Sequence, residues 1–364
     1  MGWVVRVNSD IGALELNYCR NYFRPMINLL SDTVTKPTPG MLKAMWTAEV
    51  GDDVFREDPT VNALEAYVAE LTGHEAALFC PSGTMANQIA LKVHTRPMDE
   101  VICDETSHIF QYEVGGYAFH SGIGVNLLRS PNGILEAEQI GAAVKPLYDW
   151  LPRSTLCVIE NTNNKGGGGC YSLEGLQSIG AMCRDKNLAL HLDGARLFNA
   201  VVARGYTPRQ VGACVDSASL CLSKGLGAPM GTVLTGNAKF IAEARRVRKA
   251  MGGGMRQVGY MAAAGLYALQ NQVERLEEDH RHARQLAETL VELPWVEGLR
   301  PVETNIVIFD LKAPLTPAVF LEKLAEKGIK ASAFGPQAIR FVTHLDVPGA
   351  MINQTVEVLR RMTF

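Results

Sequence analysis

The stretch Leu188-Ala189-Leu190-His191-Leu192-Asp193-Gly194-Ala195-Arg196 reads as a strand that ends on a carboxylate. Its apolar run is almost continuous, which marks a strand covered by helices on both faces rather than one with a wet side. Six other segments share that texture, at residues 77–80, 101–104, 124–128, 156–160, 220–223 and 231–235. Helical patterns separate them. Ser172 suits the N-cap of a helix that turns Leu173, Leu176, Ile179 and Cys183 inward and ends near Asn187, half of a βαβ crossover. Asp58 with Pro59 opens another, whose Val61, Leu64, Val68 and Leu71 recur at helical spacing until Gly73. The expected fold class is α/β, with a mostly parallel seven-stranded sheet covered by helices.

At 364 residues the chain is roughly 2.4 times a ~150-residue domain, enough for one large domain and a smaller one. The texture changes near residue 271. Residues 272–293 read as a charged, solvated connecting helix, with Glu277 four residues before Arg281 as a supporting pair. Beyond it, strand patterns at 305–310 and 338–343 and a final helix over about 348–361 predict a smaller C-terminal α+β domain spanning 272–364.

Composition narrows the partners. With 35 basic and 38 acidic residues and no dense Lys/Arg patch interleaved with aromatics, nucleic acid is not expected. The longest plainly apolar run, residues 261–269, falls well short of the roughly 20 residues that span a bilayer. Arg6, Asp10 and Glu15 interrupt any signal-peptide core, so a cytoplasmic protein with no membrane partner is expected. Eight cysteines without a CxxC pair, with Cys157 and Cys221 inside apolar stretches, read as reduced core residues; neither disulfides nor a metal site is expected.

Five features carry chemistry. Pro81-Ser82-Gly83-Thr84-Met85-Ala86-Asn87 joins a strand to a helix, where backbone N–H groups and the Ser82 and Thr84 hydroxyls suit a phosphate. His108 lies just past the next strand. Asp193 stands at the carboxyl end of its strand, the side on which open α/β sheets bind ligands. A buried carboxylate wants a partner, and by itself the motif also fits a helix cap paired with Arg196. Lys224 follows an apolar strand and precedes glycines that clear space beside it; lysines so placed shift pKa downward and act as Schiff-base nucleophiles. Lys165, in a glycine-rich loop, and Lys249, on a helix face with Arg245, Arg246 and Arg248 that reads as solvated, are weaker candidates. Last, Gly252-Gly253-Gly254-Met255-Arg256 lets the backbone approach a ligand beside an arginine. No GxGxxG or GxxxxGK[ST] spacing is present. Phosphate cradle, histidine, aspartate and lysine in this order describe a pyridoxal 5'-phosphate site. The lysine is its covalent anchor, the aspartate pairs the pyridinium nitrogen and the histidine lies on the ring.

From Met26 to the C-terminus the chain closely resembles the low-specificity L-threonine aldolases, pyridoxal-phosphate enzymes of the aspartate-aminotransferase-like fold (fold type I). The matching stretches are Ser31-Asp32-Thr33-Val34-Thr35, Gly51-Asp52-Asp53-Val54, Asp58-Pro59-Thr60-Val61-Asn62, Ser82-Gly83-Thr84, Asp193-Gly194-Ala195-Arg196, Leu222-Ser223-Lys224-Gly225, residues 252–257, and Ile339-Arg340-Phe341-Val342-Thr343-His344. Residues 1–25 precede the usual start of the family and read as an N-terminal extension, leaving 26–271 as a cofactor-binding large domain with an N-terminal arm. The resemblance implies that Lys224 carries the cofactor, that Asp193 contacts the pyridine nitrogen, and that Arg196 serves the ring O3′ side and the substrate carboxylate. Gly83 and Thr84 would hold the phosphate, Arg256 would reach it from a neighbouring subunit, Ser31 and Arg340 would clamp the substrate carboxylate, and His108 would stack on the ring near the β-hydroxyl. It also implies a homotetramer built from dimers with shared active sites. The implied activity is cleavage of L-threonine, L-allo-threonine and related β-hydroxy-α-amino acids to glycine and an aldehyde, with no metal at the reacting centre.

Three positions depart from the family pattern: Trp150 and Asn163 stand where histidines are common, and Leu30 replaces a common arginine. Trp150 falls at the place of a histidine near the substrate side chain and would favour a bulkier or more apolar β-substituent. Alanine racemases are related in sequence, so a reaction at Cα–H on the same scaffold is the alternative.

Overall fold

A two-residue strand, β1 (Ile27–Asn28), opens the part of the chain that the computed structural model describes, residues 26–364; the expected extension lies outside the described residues. The central sheet follows, built from β2 (Ala76–Cys80), β3 (Asp99–Asp104), β4 (Gly124–Leu128), β5 (Arg153–Glu160), β6 (Ala189–Gly194), β7 (Ser217–Cys221) and β8 (Thr232–Gly236). Its order is β2-β8-β7-β6-β5-β3-β4. Only β8 runs against its neighbours; the other contacts are parallel, as the apolar runs imply. All seven expected strands are present. The largest shift is at β7, expected at 220–223, because Ser217 and Ser219 look like loop residues until their hydroxyls are seen bonded to buried side chains.

The helices between strands start as their caps dictate. Asp58 accepts from the Thr60 and Val61 backbone N–H groups at 3.1 and 3.0 Å, Pro59 takes the first position, and Gly73 ends the helix Pro59–Thr72 at φ +75°. Ser172 accepts from Gly175 N (3.0 Å) and opens Leu173–Asp185, the crossover from β5 to β6.

Beyond residue 271 a second, antiparallel sheet forms from β9 (Val296–Leu299) and β10 (Ile306–Leu311), then, past a short strand β11 (Ile329–Lys330), β12 (Ser332–Ala333) and β13 (Ala338–Val342); its order is β12-β13-β10-β9. A final helix covers Gly349–Arg361. The first strand belongs here: β1 pairs in parallel with β11, and Ile27 and Leu29 pack among Phe309, Phe320 and Phe341.

Two expectations need correction. The connecting helix Leu276–Leu290 is not solvated throughout: Leu276 joins the core under the central sheet while Ala283, Leu286 and Leu290 join the C-terminal core. Within it Glu277 reaches Arg284 at 2.5 Å instead of Arg281, which faces Glu278. The arginine face near Lys249 is likewise not free, since Arg248 is buried and donates to Asp53 (2.7 Å) and the Phe79 carbonyl (2.5 Å). Charge density alone does not reveal that a carboxylate from a distant segment is waiting beneath it. The seven described cysteines that the sequence marks as core residues are buried and unbridged.

Candidate active site

At the carboxyl ends of β5 and β6, where the small sheet leans over the large one, lies a cavity of about 440 Å³ lined by Ser31, His108, Glu160, Arg196, Lys224 and Arg340 among others. Lys224 follows β7 in a turn whose backbone is fixed by Thr35, the hydroxyl of which donates to the Lys224 carbonyl at 2.9 Å. Its Nζ lies 3.5 Å from Cys221 Sγ. That sulfur also sets how closely the helix Gly83–His94 approaches, for a Cβ at Gly83 would stand only 2.7 Å from it. The Ser82 hydroxyl is engaged as the helix cap, accepting from Met85 N at 3.2 Å. Gly83 and Thr84 occupy the first turn, where backbone N–H groups have no acceptor within the helix.

Asp193 ends β6 in a buried position. Its carboxylate accepts from Asn87 Nδ2 at 2.8 Å and from Ala195 N at 3.1 Å, so the alternative pairing with Arg196 is not what holds it. His108 sits at the edge of the cavity; its backbone N–H donates to Glu160 Oε2, and its Nδ1 lies 2.9 Å from Glu113 Oε1. Burial pulls the imidazole down, but the Glu113 bond and the charges of Asp193, Glu113 and Glu160 outweigh it and raise its pKa. Glu160 is the reverse case: burial, with the nearby Asp193 charge, pushes its carboxyl up to about 7 despite N–H bonds from Asn164 and His108.

Two arginines enter from either side. Arg196 is buried and grips Asp32 with two bonds, Nε to Oδ2 at 2.7 Å and Nη2 to Oδ1 at 2.6 Å. Burial would raise the Asp32 carboxyl; the Arg196 charge and bonds, with Lys224 nearby, hold it far below the ordinary range instead. Arg340, on β13, donates to Asn164 Oδ1 (2.9 Å) and the Leu30 carbonyl (3.0 Å) and lies 4.5 Å over the Phe334 ring. Its Nε is buried without an acceptor, and burial plus the Arg196 charge pull its pKa to about 10. Ser31 caps the turn Asp32–Val34, accepting from Thr33 N at 3.2 Å, and lines the same cavity.

Of the expected residues, Ser82, Gly83, Thr84 and Asp193 do not line this cavity directly, and two more stand apart from it within one chain. Arg256 is exposed and paired with Asp52 at 2.6 Å. Trp150 is also exposed, stacked on Tyr148 with ring centroids 4.9 Å apart. His108, Glu113 and Asp193 bring ligand atoms within 4.8 Å of one another, and both carboxylates also accept from Asn87 Nδ2.

The residues that sequence reading left out are Asp32 as the partner of Arg196, Glu160, and the pair Asn87 and Glu113. Glu160 carried a usable signal, since it ends an apolar strand just as Asp193 does. Glu113 carried none, lying between two short helices.

The site suits pyridoxal phosphate on its own geometry. The Gly83 cradle would be lost to any Cβ, first-turn N–H groups stand next to the lysine, a buried carboxylate ends the strand beside it, and Arg340 keeps an orphaned donor. Fold and site together define an α/β enzyme of the pyridoxal-phosphate class. The model of the beta-eliminating lyase family matches residues 28–314. Low-specificity L-threonine aldolase of Escherichia coli K12 is 43% identical over 323 residues, 88% of this chain and 95% of that protein. Low-specificity L-threonine aldolase 1 of Arabidopsis thaliana is 39% identical over 342 residues, 92% and 96% of the two chains. The chain therefore belongs to the beta-eliminating lyase family and, within it, to the low-specificity L-threonine aldolases, pyridoxal-phosphate-dependent lyases. In fold it superposes on the threonine aldolase of Leishmania major with a TM-score of 0.81 at 22% identity, covering 92% of this chain and 99% of that one. The serine palmitoyltransferase of Sphingomonas wittichii, at 15% identity and a TM-score of 0.73, covers 97% and 96% and shares the fold alone.

Proposed function

We propose that the protein cleaves L-threonine, L-allo-threonine and related L-β-hydroxy-α-amino acids between Cα and Cβ, giving glycine and an aldehyde. The observation that carries this reading is the convergence of Lys224, His108, Arg196, Arg340 and Ser31 on one cavity, in a chain 43% identical to an L-threonine aldolase. When bound, pyridoxal phosphate supplies a conjugated ring into which the electrons of the breaking bond can spread. The protein supplies the rest. Lys224 would hold the cofactor through Nζ, the N–H groups of Gly83 and Thr84 would take the phosphate with Ser82 fixing the turn, and Asp193 would pair the ring nitrogen. Arg196, its guanidinium steadied by Asp32, would serve the O3′ side.

Arg340 and Ser31 clamp the substrate carboxylate. Such a clamp would set the rotation about the amino nitrogen to Cα bond and so select which bond at Cα is aligned for cleavage. His108 takes the β-hydroxyl proton, directly or through a water it orients, as the aldehyde leaves. Its Nδ1–H is committed to Glu113, which leaves Nε2 as the nitrogen able to accept. Glycine is completed by protonation at Cα.

We place the boundary between a large domain, 26–271, and a small domain, 272–364, where the elements of the two sheets separate. The assembly we propose is a homotetramer whose active sites are shared between subunits. The exposure of Arg256, together with exposed Trp46 and Phe55 in the neighbouring segments, supports it. A cytoplasmic location is supported by the buried, unbridged cysteines, and no helix among the described residues is long and apolar enough to cross a membrane. The activity is tested by incubating the cofactor-loaded protein with L-threonine and analysing products. Glycine and acetaldehyde are expected, and racemised alanine with no cleavage of threonine overturns the reading.

A further inference from the structure

The face of the central sheet under the helix Gly83–His94 is not apolar at its centre. His191 and Asp193 on β6 and Ser217 and Ser219 on β7 point to the same side, and Asn87 descends onto them from the helix. Asn87 makes four contacts there. Its Oδ1 accepts from Ser219 Oγ at 2.7 Å and faces His191 Nε2 at 3.3 Å; its Nδ2 donates to Asp193 Oδ2 at 2.8 Å and to Glu113 Oε1 at 2.9 Å. Glu113 in turn accepts from Gln88 Nε2 (2.6 Å) and from His108 Nδ1.

The direction of every bond can be assigned. Asp193 and Glu113, as carboxylates, only accept, so the Asn87 NH2 must face them. Burial pushes the His191 imidazole down to about 3, so the ring is neutral; with Nε2–H directed at Asn87 Oδ1, its Nδ1 accepts from the Ser217 hydroxyl at 2.8 Å. His94 Nε2, on the far side of that hydroxyl at 2.8 Å, then donates to it. A flipped amide would set its oxygen against two carboxylates, so Asp193 and Glu113 fix which way Asn87 faces, and Ser219 and His191 hold its Oδ1 from behind.

We propose that Asn87 is a positioning residue that couples the strand-end acid to the cavity histidine: one amide group holds Asp193 and, through Glu113, His108 in a single rigid relation. The proposal rests on the pyridoxal-phosphate reading of the site. Its physical content is that an amide, having no proton to lose, donates to Asp193 and Glu113 together and so holds both carboxyl groups in one orientation. It also fixes Glu113, and with it the tautomer of His108. Satisfying four buried polar partners with one side chain gives a rigid network, because no partner can move without orphaning another. A leucine in this place would fill the same space but take one donor from each carboxylate, leaving Asp193 with Ala195 N and Glu113 with Gln88 and His108.

The test compares wild type with Asn87→Asp, which keeps the shape and removes the donor, and with Ser219→Ala, which removes one lock behind the amide. Three quantities are read in the purified proteins: the dissociation constant for pyridoxal phosphate, the pH titration of the visible absorbance of the bound cofactor, and kcat and KM separately for L-threonine. Asn87→Asp is expected to weaken cofactor binding at least tenfold at pH 8. The absorbance titration should shift, and kcat should fall more than tenfold with KM within threefold. Ser219→Ala should move the same quantities in the same direction by about threefold. Cofactor affinity and absorbance titration unchanged in both variants overturn the proposal, and so does a loss of thermal stability alone. If Asn87→Asp does not fold, Ser219→Ala decides in the same way. A wild-type protein that takes up no cofactor overturns the reading of the site, whereas variants that bind as wild type does overturn only the role of Asn87.

Discussion

Arg196 and Asp32, 164 residues apart, form a buried two-bond ion pair that ties the turn before the first long helix to the end of β6. Asp32 also accepts from Asn305 Nδ2 at 3.2 Å, so the pair reaches into the small sheet as well. Breaking such a pair from one side leaves a buried charge without its partner. Asp32→Ala should cost about 3–5 kcal/mol, measured by urea unfolding at pH 7. The folded pKa of Asp32 is depressed, so its stabilisation is present above about pH 4 and is lost as the pH falls towards the folded value. The deficit of the variant should therefore narrow in acid; a constant deficit from pH 7 to pH 3 would show that the folded pKa of Asp32 is not depressed.

Lys224→Ala should remove the yellow colour expected of a pyridoxal-phosphate protein, with an absorbance band at roughly 420 nm, together with activity, while leaving the fold intact. Absorbance spectra and circular dichroism of the purified variant check both halves. Persistent colour after extensive dialysis would point to a different lysine.

Arg340→Ala should raise KM and lower kcat together, because one contact both binds and orients the substrate. Loss of a charge-assisted bond of ~1.5–3 kcal/mol corresponds to a fall in kcat/KM of roughly 10- to 150-fold. Steady-state kinetics with L-threonine measure it, and an unchanged kcat/KM would assign the carboxylate to another group.

Gly83→Ala brings a methyl group to 2.7 Å from Cys221 Sγ, and the helix must retreat from Lys224. Cofactor affinity should fall at least tenfold, by titration of the cofactor-free protein. Cys221→Ala added to it should recover part of the loss, since the clash is with that sulfur. No recovery would mean that the added methyl group obstructs the cofactor itself and not the sulfur.

Glu160 carries a pKa of about 7 in the folded cofactor-free protein against an ordinary 4.5, because burial and the Asp193 charge oppose its ionisation. Between those values the native state holds a proton that the unfolded chain has lost, so stability falls as the pH rises through that window. Glu160→Gln should abolish this component. Thermal melts from pH 4.5 to 7.5 should show the variant gaining on wild type as the pH rises; parallel curves would show that Glu160 ionises normally.

Strands and their ends were legible in the sequence because their information is local. An apolar run closed by Asp193, another followed by Lys224, and a strand-to-helix joint at Ser82-Gly83-Thr84 each lie within a dozen residues, and each corresponds to an observed element. The serines of β7 misled the pattern by a few residues because they serve a polar layer that only the folded helix completes.

By itself, then, the sequence determined the α/β class, the family, and the placing of an acid and a lysine after apolar strands. Only the tertiary structure decided the partners: Asp32 for Arg196, Asn87 for Asp193, Glu113 for His108, and a carboxyl-terminal core that claims Ile27 and Leu29. The physical reason is that a buried polar group must find a complementary one, and nothing in the local spacing of residues says which distant segment will deliver it. Chain periodicity records which side of an element is covered. What covers it is settled when the sheets close.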